Sequence, residues 1–137
     1  MIVIDTHALV WMVEGGPDLG SRAQSLIVAE LEDDGVLIAP ISFWELAMLV
    51  DKGRLTLGRP VVAWWNRVLL EPGFVVADLT AEIGADAGML PGNIHGDPAD
   101  RLIIATARSI NCPVLTADGK ILDYAAAGHV QVIDARH

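Results

Sequence analysis

Five acidic residues, widely separated along the sequence, carry the chemistry that this chain can be expected to perform. They are Asp5, Glu45, Asp97, Asp100 and Asp118. If they converge in space, their carboxylates repel one another, and some of them stay protonated at neutral pH. A divalent cation removes that conflict, and an all-oxygen ligand set without thiolates selects Mg²⁺, with Mn²⁺ as a substitute, over Zn²⁺. Such an ion activates a bound water and stabilises charge on a phosphoryl oxygen, which is the chemistry of phosphodiester hydrolysis.

Short apolar segments alternate with helical patterns and predict the elements that position these acids. Strands are expected at 2–4, 36–39, 74–77, 113–116 and 130–133, and helices at 7–13, 22–33, 42–51, 61–70, 80–89, 98–110 and 118–126. The alternation predicts an α/β fold, one domain over residues 1–137, with a parallel sheet covered by helices on both faces. Ligands of such sheets bind beyond the carboxyl ends of the strands. Asp5, Glu45 and Asp118 fall there, whereas only tertiary folding would bring Asp97 and Asp100 to the same edge.

Helix capping is the competing explanation for most of these acids. Ser42 and Glu45 match a capping box, and Asp97 and Asp118 each stand where an N-cap is expected. Asp5 is harder to explain in this way, because it follows a buried apolar segment directly and no capping role is evident.

Charge and composition limit the classes of function. The formal net charge of −9 argues against general electrostatic capture of nucleic acids, although a formal count omits any bound metal. Four basic residues, Lys52, Arg54, Arg59 and Arg67, fall in one stretch and form either a local patch that holds RNA or a solvated surface.

The location of the protein is predicted from what the sequence lacks. No apolar run reaches the length of a membrane span, no signal peptide is visible, and Cys112 is the single cysteine. These features predict a cytoplasmic protein that does not insert into a membrane. The apolar content of 53% is high and suggests that a partner covers part of the surface.

Four sequence blocks occur in order along nearly the whole chain. They are Ile2-Val3-Ile4-Asp5-Thr6-His7-Ala8-Leu9-Val10-Trp11, Ser42-Phe43-Trp44-Glu45-Leu46-Ala47, the segment from His95 to Ala107, and Leu115-Thr116-Ala117-Asp118. Together they resemble PIN domains, and within them the VapC-type ribonuclease toxins of type II toxin–antitoxin systems. The resemblance implies a parallel sheet of four or five strands with acids gathered at one edge. It also implies a metal-dependent endoribonuclease with a water nucleophile.

The same resemblance implies roles for individual residues. Asp5, Glu45 and Asp100 would hold Mg²⁺ directly or through water, and Asp97 or Asp118 would complete the set. The sequence does not choose between these two, since both are present.

Four further residues near these blocks are candidates for supporting roles. Thr6 and Thr116 would orient a carboxylate or a water, or serve only in strand-end turns. Arg101 would contact an RNA phosphate or, as we expect, pair with a neighbouring carboxylate. His95 would approach the scissile phosphate or play a structural part.

One predicted helix is apolar over more than one face. It carries Trp64 and Trp65 among aliphatic residues of 61–70, and core packing explains about half of these side chains. The rest would form a homodimer face or a groove for an antitoxin helix. The resemblance implies both partners, a cognate antitoxin and a second copy, in addition to the RNA substrate.

Two other classes of function fit parts of the pattern. An aspartate-nucleophile phosphotransferase or phosphatase also needs an acid after the first strand. Such enzymes usually carry a second acid two residues later, where this chain has His7, or an acidic neighbour together with a late lysine such as Lys120. A catalytically silent binding module on the same fold is the other alternative, and the full set of acids argues against it.

Overall fold

The core of the protein is one sheet of five parallel strands. The structure is a computed structural model that covers residues 1–137. The strands are β1 (Ile2–Ile4), β2 (Val36–Ile38), β3 (Phe74–Val76), β4 (Val114–Thr116) and β5 (Val132–Asp134). Their order is β3-β2-β1-β4-β5, and every neighbouring pair is parallel. The predicted parallel α/β architecture is therefore confirmed, with the five-stranded form of the sheet.

Seven helices connect and cover the strands. They are α1 (Thr6–Glu14), α2 (Ser21–Glu32), α3 (Ile41–Asp51), α4 (Val61–Leu70), α5 (Ala81–Gly88), α6 (Pro98–Ile110) and α7 (Gly119–Ala125). None of these helices is both long enough and apolar enough to cross a membrane.

Alternate side chains of the strands pack against helices on opposite faces of the sheet. Ile2 and Ile4 of β1 lie in the larger core cluster with residues of α1, α2 and α4. Val3, between them, lies in the second cluster with residues of α6 and α7. Because successive side chains of a strand point to opposite faces, a central strand covered on both sides must be apolar throughout. β1, β2 and β4 are fully buried, whereas β3 and β5 at the sheet edges are more exposed.

Two predicted element boundaries differ from the structure in an informative way. β5 begins at Val132, whereas the sequence pattern predicted a start at Val130. Val130 is apolar because it is buried in the second core cluster, not because it belongs to the strand. α3 begins at Ile41, one residue before Ser42, because the backbone at Pro40 already has helical dihedral angles.

The strand order reverses next to β1, which brings the functional side chains together. From β1 the chain passes to β2 and β3 on one side, then returns to place β4 and β5 on the other side. The carboxyl ends of β1 and β4 therefore flank a crevice of the kind in which open α/β sheets bind ligands. α6 leads into β4, so its first turn lies toward the same edge, which carries Asp97 and Asp100 to the crevice.

Candidate metal centre

Asp5 lies at the point where the strand order reverses. Its carboxylate is buried, with Oδ1 accepting a hydrogen bond from the Thr6 amide (2.7 Å) and Oδ2 accepting one from the Thr116 hydroxyl (2.6 Å). Asp5 is therefore the N-cap of α1, and the expectation that it has no capping role is wrong. The first helix begins directly at Thr6, so the strand-end acid is also the residue that caps the helix.

Glu45 points into the crevice from α3 and does not form the capping box that the sequence allowed. The Ser42 amide donates to the Ala39 carbonyl (2.9 Å), because α3 has begun one residue earlier. The Ser42 hydroxyl accepts instead from the Thr6 hydroxyl (2.9 Å). Glu45 is 9% exposed, and its Oε1 atom is buried without any hydrogen-bond partner.

Asp97 and Asp100 occupy the first turn of α6 and use their carboxylates differently. Asp97 is the N-cap, and its Oδ1 accepts from the Asp100 amide (3.1 Å). The buried Asp100 carboxylate does not cap the helix, and its Oδ2 lies 2.6 Å from Nε2 of His95. His95 therefore contacts one of the acids, which favours the structural part over a direct approach to phosphate.

The structure brings three of the five predicted acids within reach of a single cation. Oxygen atoms of Glu45, Asp97 and Asp100 all lie within 4.8 Å of one another. A set of carboxylate oxygens with no sulfur or imidazole ligand suits a hard divalent ion such as Mg²⁺ or Mn²⁺. The unpartnered Oε1 of Glu45 supports this fit, because a buried carboxylate oxygen without a donor is costly unless a cation or water satisfies it.

Asp5 and Asp118 lie beside this trio without sharing its ligand geometry. Asp118 is the N-cap of α7, where its Oδ1 accepts from the amides of Lys120 (2.8 Å) and Ile121 (3.2 Å). It also raises the pKa of Asp5 and of Asp100, so its charge acts on both. Each of these two acids caps a helix and also adds negative charge that raises the pKa of a neighbouring carboxyl.

Burial raises the pKa of three carboxyls in the crevice. Desolvation is the main cause for Asp5, where the bonds from Thr116 and Thr6 oppose it. Desolvation also raises the pKa of Glu45, with a further contribution from the charge of Asp5. Burial raises the pKa of Asp100 to about 7, against the opposing effect of the hydrogen bond from His95. Carboxyls that resist ionisation without a cation are the expected mark of a site built to receive one.

Arg101 does not have the role that the sequence favoured. It pairs with no carboxylate, so the favoured interpretation is wrong. Its guanidinium donates to the backbone carbonyls of Ala87 (2.8 Å) and Gly88, Ile94 and His95 (each 3.3 Å). Arg101 thereby fixes the loop between α5 and α6, and with it the backbone of His95, which contacts Asp100.

Thr6 and Thr116 are both drawn into the acid network. Thr116 donates to Asp5 and also accepts from the Asp118 amide (3.0 Å), so it links two of the acids. Thr6 supplies its amide to Asp5 and its hydroxyl to Ser42, and it lowers the pKa of Glu45.

The basic stretch and the aromatic helix lie elsewhere. The four basic residues of the stretch are all exposed: Lys52, Arg54, Arg59 and Arg67. None of them lines the small cavity that Asp5 and Asp118 border. On α4, Trp64 and Trp65 are buried in the core. This agrees with the prediction that about half of the side chains of this helix pack in the core.

Two residues of the crevice, His7 and Ser42, were not among the predicted site residues. His7 was considered only as the place where another class of enzyme has an acid, yet it lowers the pKa of both Asp5 and Glu45 and so lies close to both. Ser42 was considered only as a cap. His7 stands two residues after Asp5 at the start of a helix, and that spacing was the available signal for it.

Comparison with known proteins agrees with this architecture. The model of the PIN domain family matches residues 2–127. Over 120 residues the chain is 32% identical to ribonuclease VapC22 of Mycobacterium tuberculosis, covering 88% of each protein. Among solved structures, VapBC-1 from nontypeable Haemophilus influenzae superposes with a TM-score of 0.67 at 16% identity, covering 100% of both chains. A toxin–antitoxin complex from Klebsiella pneumoniae gives 0.63 at 16% identity, covering 98% of each chain. The chain therefore belongs to the PIN domain family, within its VapC branch.

Proposed function

We propose that this chain is a divalent-metal-dependent endoribonuclease that hydrolyses RNA phosphodiester bonds as the toxin of a toxin–antitoxin pair. The observation that carries the proposal is the gathering of Glu45, Asp97 and Asp100 oxygens within 4.8 Å, with one buried oxygen left unpartnered. The Mycobacterium tuberculosis relative is a ribonuclease, which supports RNA as the substrate.

Glu45, Asp97 and Asp100 are the residues that would hold Mg²⁺, or Mn²⁺ in its place. When bound, the ion would stabilise the negative charge on the scissile phosphate and lower the pKa of a water. Asp5 and Asp118 act from beside the trio, as ligands through water or as acceptors for the proton of the attacking water. Water then adds to phosphorus, the ester P–O bond breaks, and the departing oxygen takes up a proton.

The supporting side chains hold the acids in place for this reaction. Thr116 keeps Asp5 oriented through a 2.6 Å hydrogen bond, and His95 holds Oδ2 of Asp100, which leaves Oδ1 available for the ion. Such contacts behind metal ligands typically contribute 10–100-fold in metal affinity or activity.

A cognate antitoxin and a second copy of the chain are the proposed protein partners. On α4, Val62 is 72% exposed and Leu70 is 73% exposed, although Trp64 and Val68 of the same helix are buried. Large apolar side chains on a surface of this kind are typical of protein interfaces. We expect Val62→Asp and Leu70→Asp to weaken one or both associations, as measured by size-exclusion chromatography with and without the protein of the adjacent reading frame.

We further propose that residues 1–137 form one PIN domain that acts in the cytoplasm. A single sheet draws its strands from the whole range between Ile2 and Asp134, and both large core clusters pack against it. Cys112 is a buried free thiol, which suits a reducing compartment.

The proposal is tested by cleavage of cellular RNA with purified protein in Mg²⁺, in Mn²⁺ and in excess EDTA. We expect cleavage with either ion and none in EDTA, and we expect Asp5→Asn and Asp100→Asn to abolish it. Asp123→Asn changes an exposed acid on α7 and is the matched control, with cleavage retained.

Three results would contradict the proposal. Cleavage that persists in EDTA would exclude the metal-dependent mechanism. Failure of the wild type to bind Mn²⁺ in calorimetry would favour a silent binding module, and a phosphorylated Asp5 trapped during turnover would favour the phosphotransferase class.

A further inference from the structure

A small cavity opens beside the acids and has not entered the mechanism so far. Its volume is about 210 Å³, and it is lined by Asp5, His7, Trp11, Ala117, Asp118 and Arg136. Pockets that enclose whole drug-sized ligands measure about 300–1,000 Å³, so this cavity suits one unit of a polymer that continues outside it. Two of its lining residues, Asp5 and Asp118, are the acids that lie beside the metal-binding trio.

Arg136 gives the cavity a cation that no acidic side chain neutralises. The guanidinium forms no salt bridge and no side-chain hydrogen bond, since only its backbone amide is engaged, with Asp134. Arg108, in contrast, is paired with Asp86 at 2.8 Å, and the Arg101 guanidinium donates hydrogen bonds to backbone carbonyls. An unpaired arginine beside a phosphodiester-cleaving site has the geometry and charge to bind a phosphate.

His7 and Trp11 line the cavity from one face of α1. They are four residues apart, which places them one above the other on a helix. His7 is exposed, and Trp11 is half-buried, packing against the larger core cluster while lining the cavity. An indole held by core contacts is a rigid surface on which a nucleobase can stack, and such stacking needs no particular base.

We propose that this cavity is a nucleotide subsite, in which Trp11 stacks on the base next to the scissile phosphate and Arg136 binds a flanking phosphate. The inference rests on the proposed ribonuclease function and extends it. It explains how a chain of net charge −9 holds RNA: attraction comes from one placed arginine, a stacking surface and the bound ion, not from a broad basic face.

The test measures RNA binding separately from cleavage. A pool of short, fluorescently labelled, single-stranded oligoribonucleotides is titrated with Glu45→Gln protein in Mg²⁺, a background that does not cleave and leaves the cavity lining intact. Arg136→Gln and Trp11→Leu are added to this background, with Trp11→Phe as the conservative variant. Arg54→Gln removes the same charge from an exposed arginine outside the cavity and is the matched control.

Each variant has a distinct expected result. Arg136→Gln should weaken binding and reduce the slope of log affinity against log salt concentration by about 0.7, the value for one phosphate contact on a single strand. Trp11→Leu should weaken binding at least about fivefold with an unchanged salt slope, and Trp11→Phe should restore most of it. Arg54→Gln should bind as the background does.

The outcomes separate this inference from the function on which it rests. If the wild type cleaves RNA while Arg136→Gln and Trp11→Leu, both folded, bind RNA as tightly as the background does and with the same salt slope, the subsite is refuted and the ribonuclease stands. If these variants lose only the complex with the antitoxin, the cavity belongs to the protein partner and the subsite is again refuted. If the wild type does not cleave RNA, the proposed function fails and the inference fails with it.

Discussion

Replacing Asp100 with asparagine should stabilise the metal-free protein at alkaline pH. Burial raises the pKa of Asp100 from 3.8 to about 7, so the folded protein binds a proton here more tightly than the unfolded chain does. For an acid with a raised pKa, full stability is present below about pH 3.8 and is lost as the pH rises through about 7. The difference between the two pKa values corresponds to about 4 kcal/mol, at about 1.36 kcal/mol per pH unit.

The asparagine variant keeps the volume of the side chain and avoids this loss. It weakens the contact with His95, which offsets the gain by about 1 kcal/mol. We therefore expect Asp100→Asn to exceed the wild type by about 2–4 kcal/mol in free energy of unfolding near pH 8, and to match it within about 1 kcal/mol near pH 4. The measurement is urea unfolding in EDTA at both pH values.

Two comparisons make this prediction sharp. Asp123→Asn removes an equal charge from the exposed side of α7 and should change stability little at either pH. Saturating Mg²⁺ should stabilise the wild type by about 2.7 kcal/mol when its concentration is about 100 times the Kd, and the variant by less. An Asp100→Asn protein that is no more stable than the wild type near pH 8 in EDTA would refute the idea that repulsion and burial at Asp100 oppose folding.

Three further substitutions test the contacts around the acids. Thr116→Val removes the donor that lowers the pKa of Asp5, so Mn²⁺ affinity near neutral pH should fall about tenfold and recover as the pH is raised, while Thr116→Ser should behave as the wild type in calorimetry. Arg101→Gln should lower the free energy of unfolding by about 1.5–3 kcal/mol and speed amide hydrogen exchange in residues 89–97, because carbonyls of that loop lose a charged donor. Glu45→Gln should reduce Mn²⁺ affinity at least about tenfold while the metal-free protein stays folded, because the amide fills the same space without the charge.

The alternation of elements was predictable because local patterns determine it. β1, β2 and β4 are buried on both faces; β1 and β2 appear in the sequence as uninterrupted apolar runs, and β4 is apolar up to Thr116. The start of β5 was misplaced because Val130 is buried outside the strand, and an apolar residue signals burial more reliably than it signals a strand. The strand order depends on the direction of each crossover, and local pattern does not encode that direction.

The position of Asp5 at the sheet edge was predictable, but the hydrogen-bond partners of the residues around the crevice were not. Asp5 could be placed because it directly follows a strand in an open α/β sheet. The partners of Arg101 could not be predicted, because they are backbone carbonyls around the loop from α5 to α6. No residue spacing in the sequence indicates the course of that loop. The unpartnered oxygen of Glu45 depends likewise on where α3 begins relative to the crevice.

The 111-residue separation between Asp5 and its partner Thr116 has a consequence for how this protein is made. β1 forms early on the ribosome but receives its second neighbour, β4, only when nearly all of the chain has emerged. A chain that stops before β4 lacks both Thr116 and Asp118, and its Asp5 has no neighbouring strand on that side. Translation products that end before β4 are therefore expected to be inactive, because the support of Asp5 is assembled only after β4 has been synthesised.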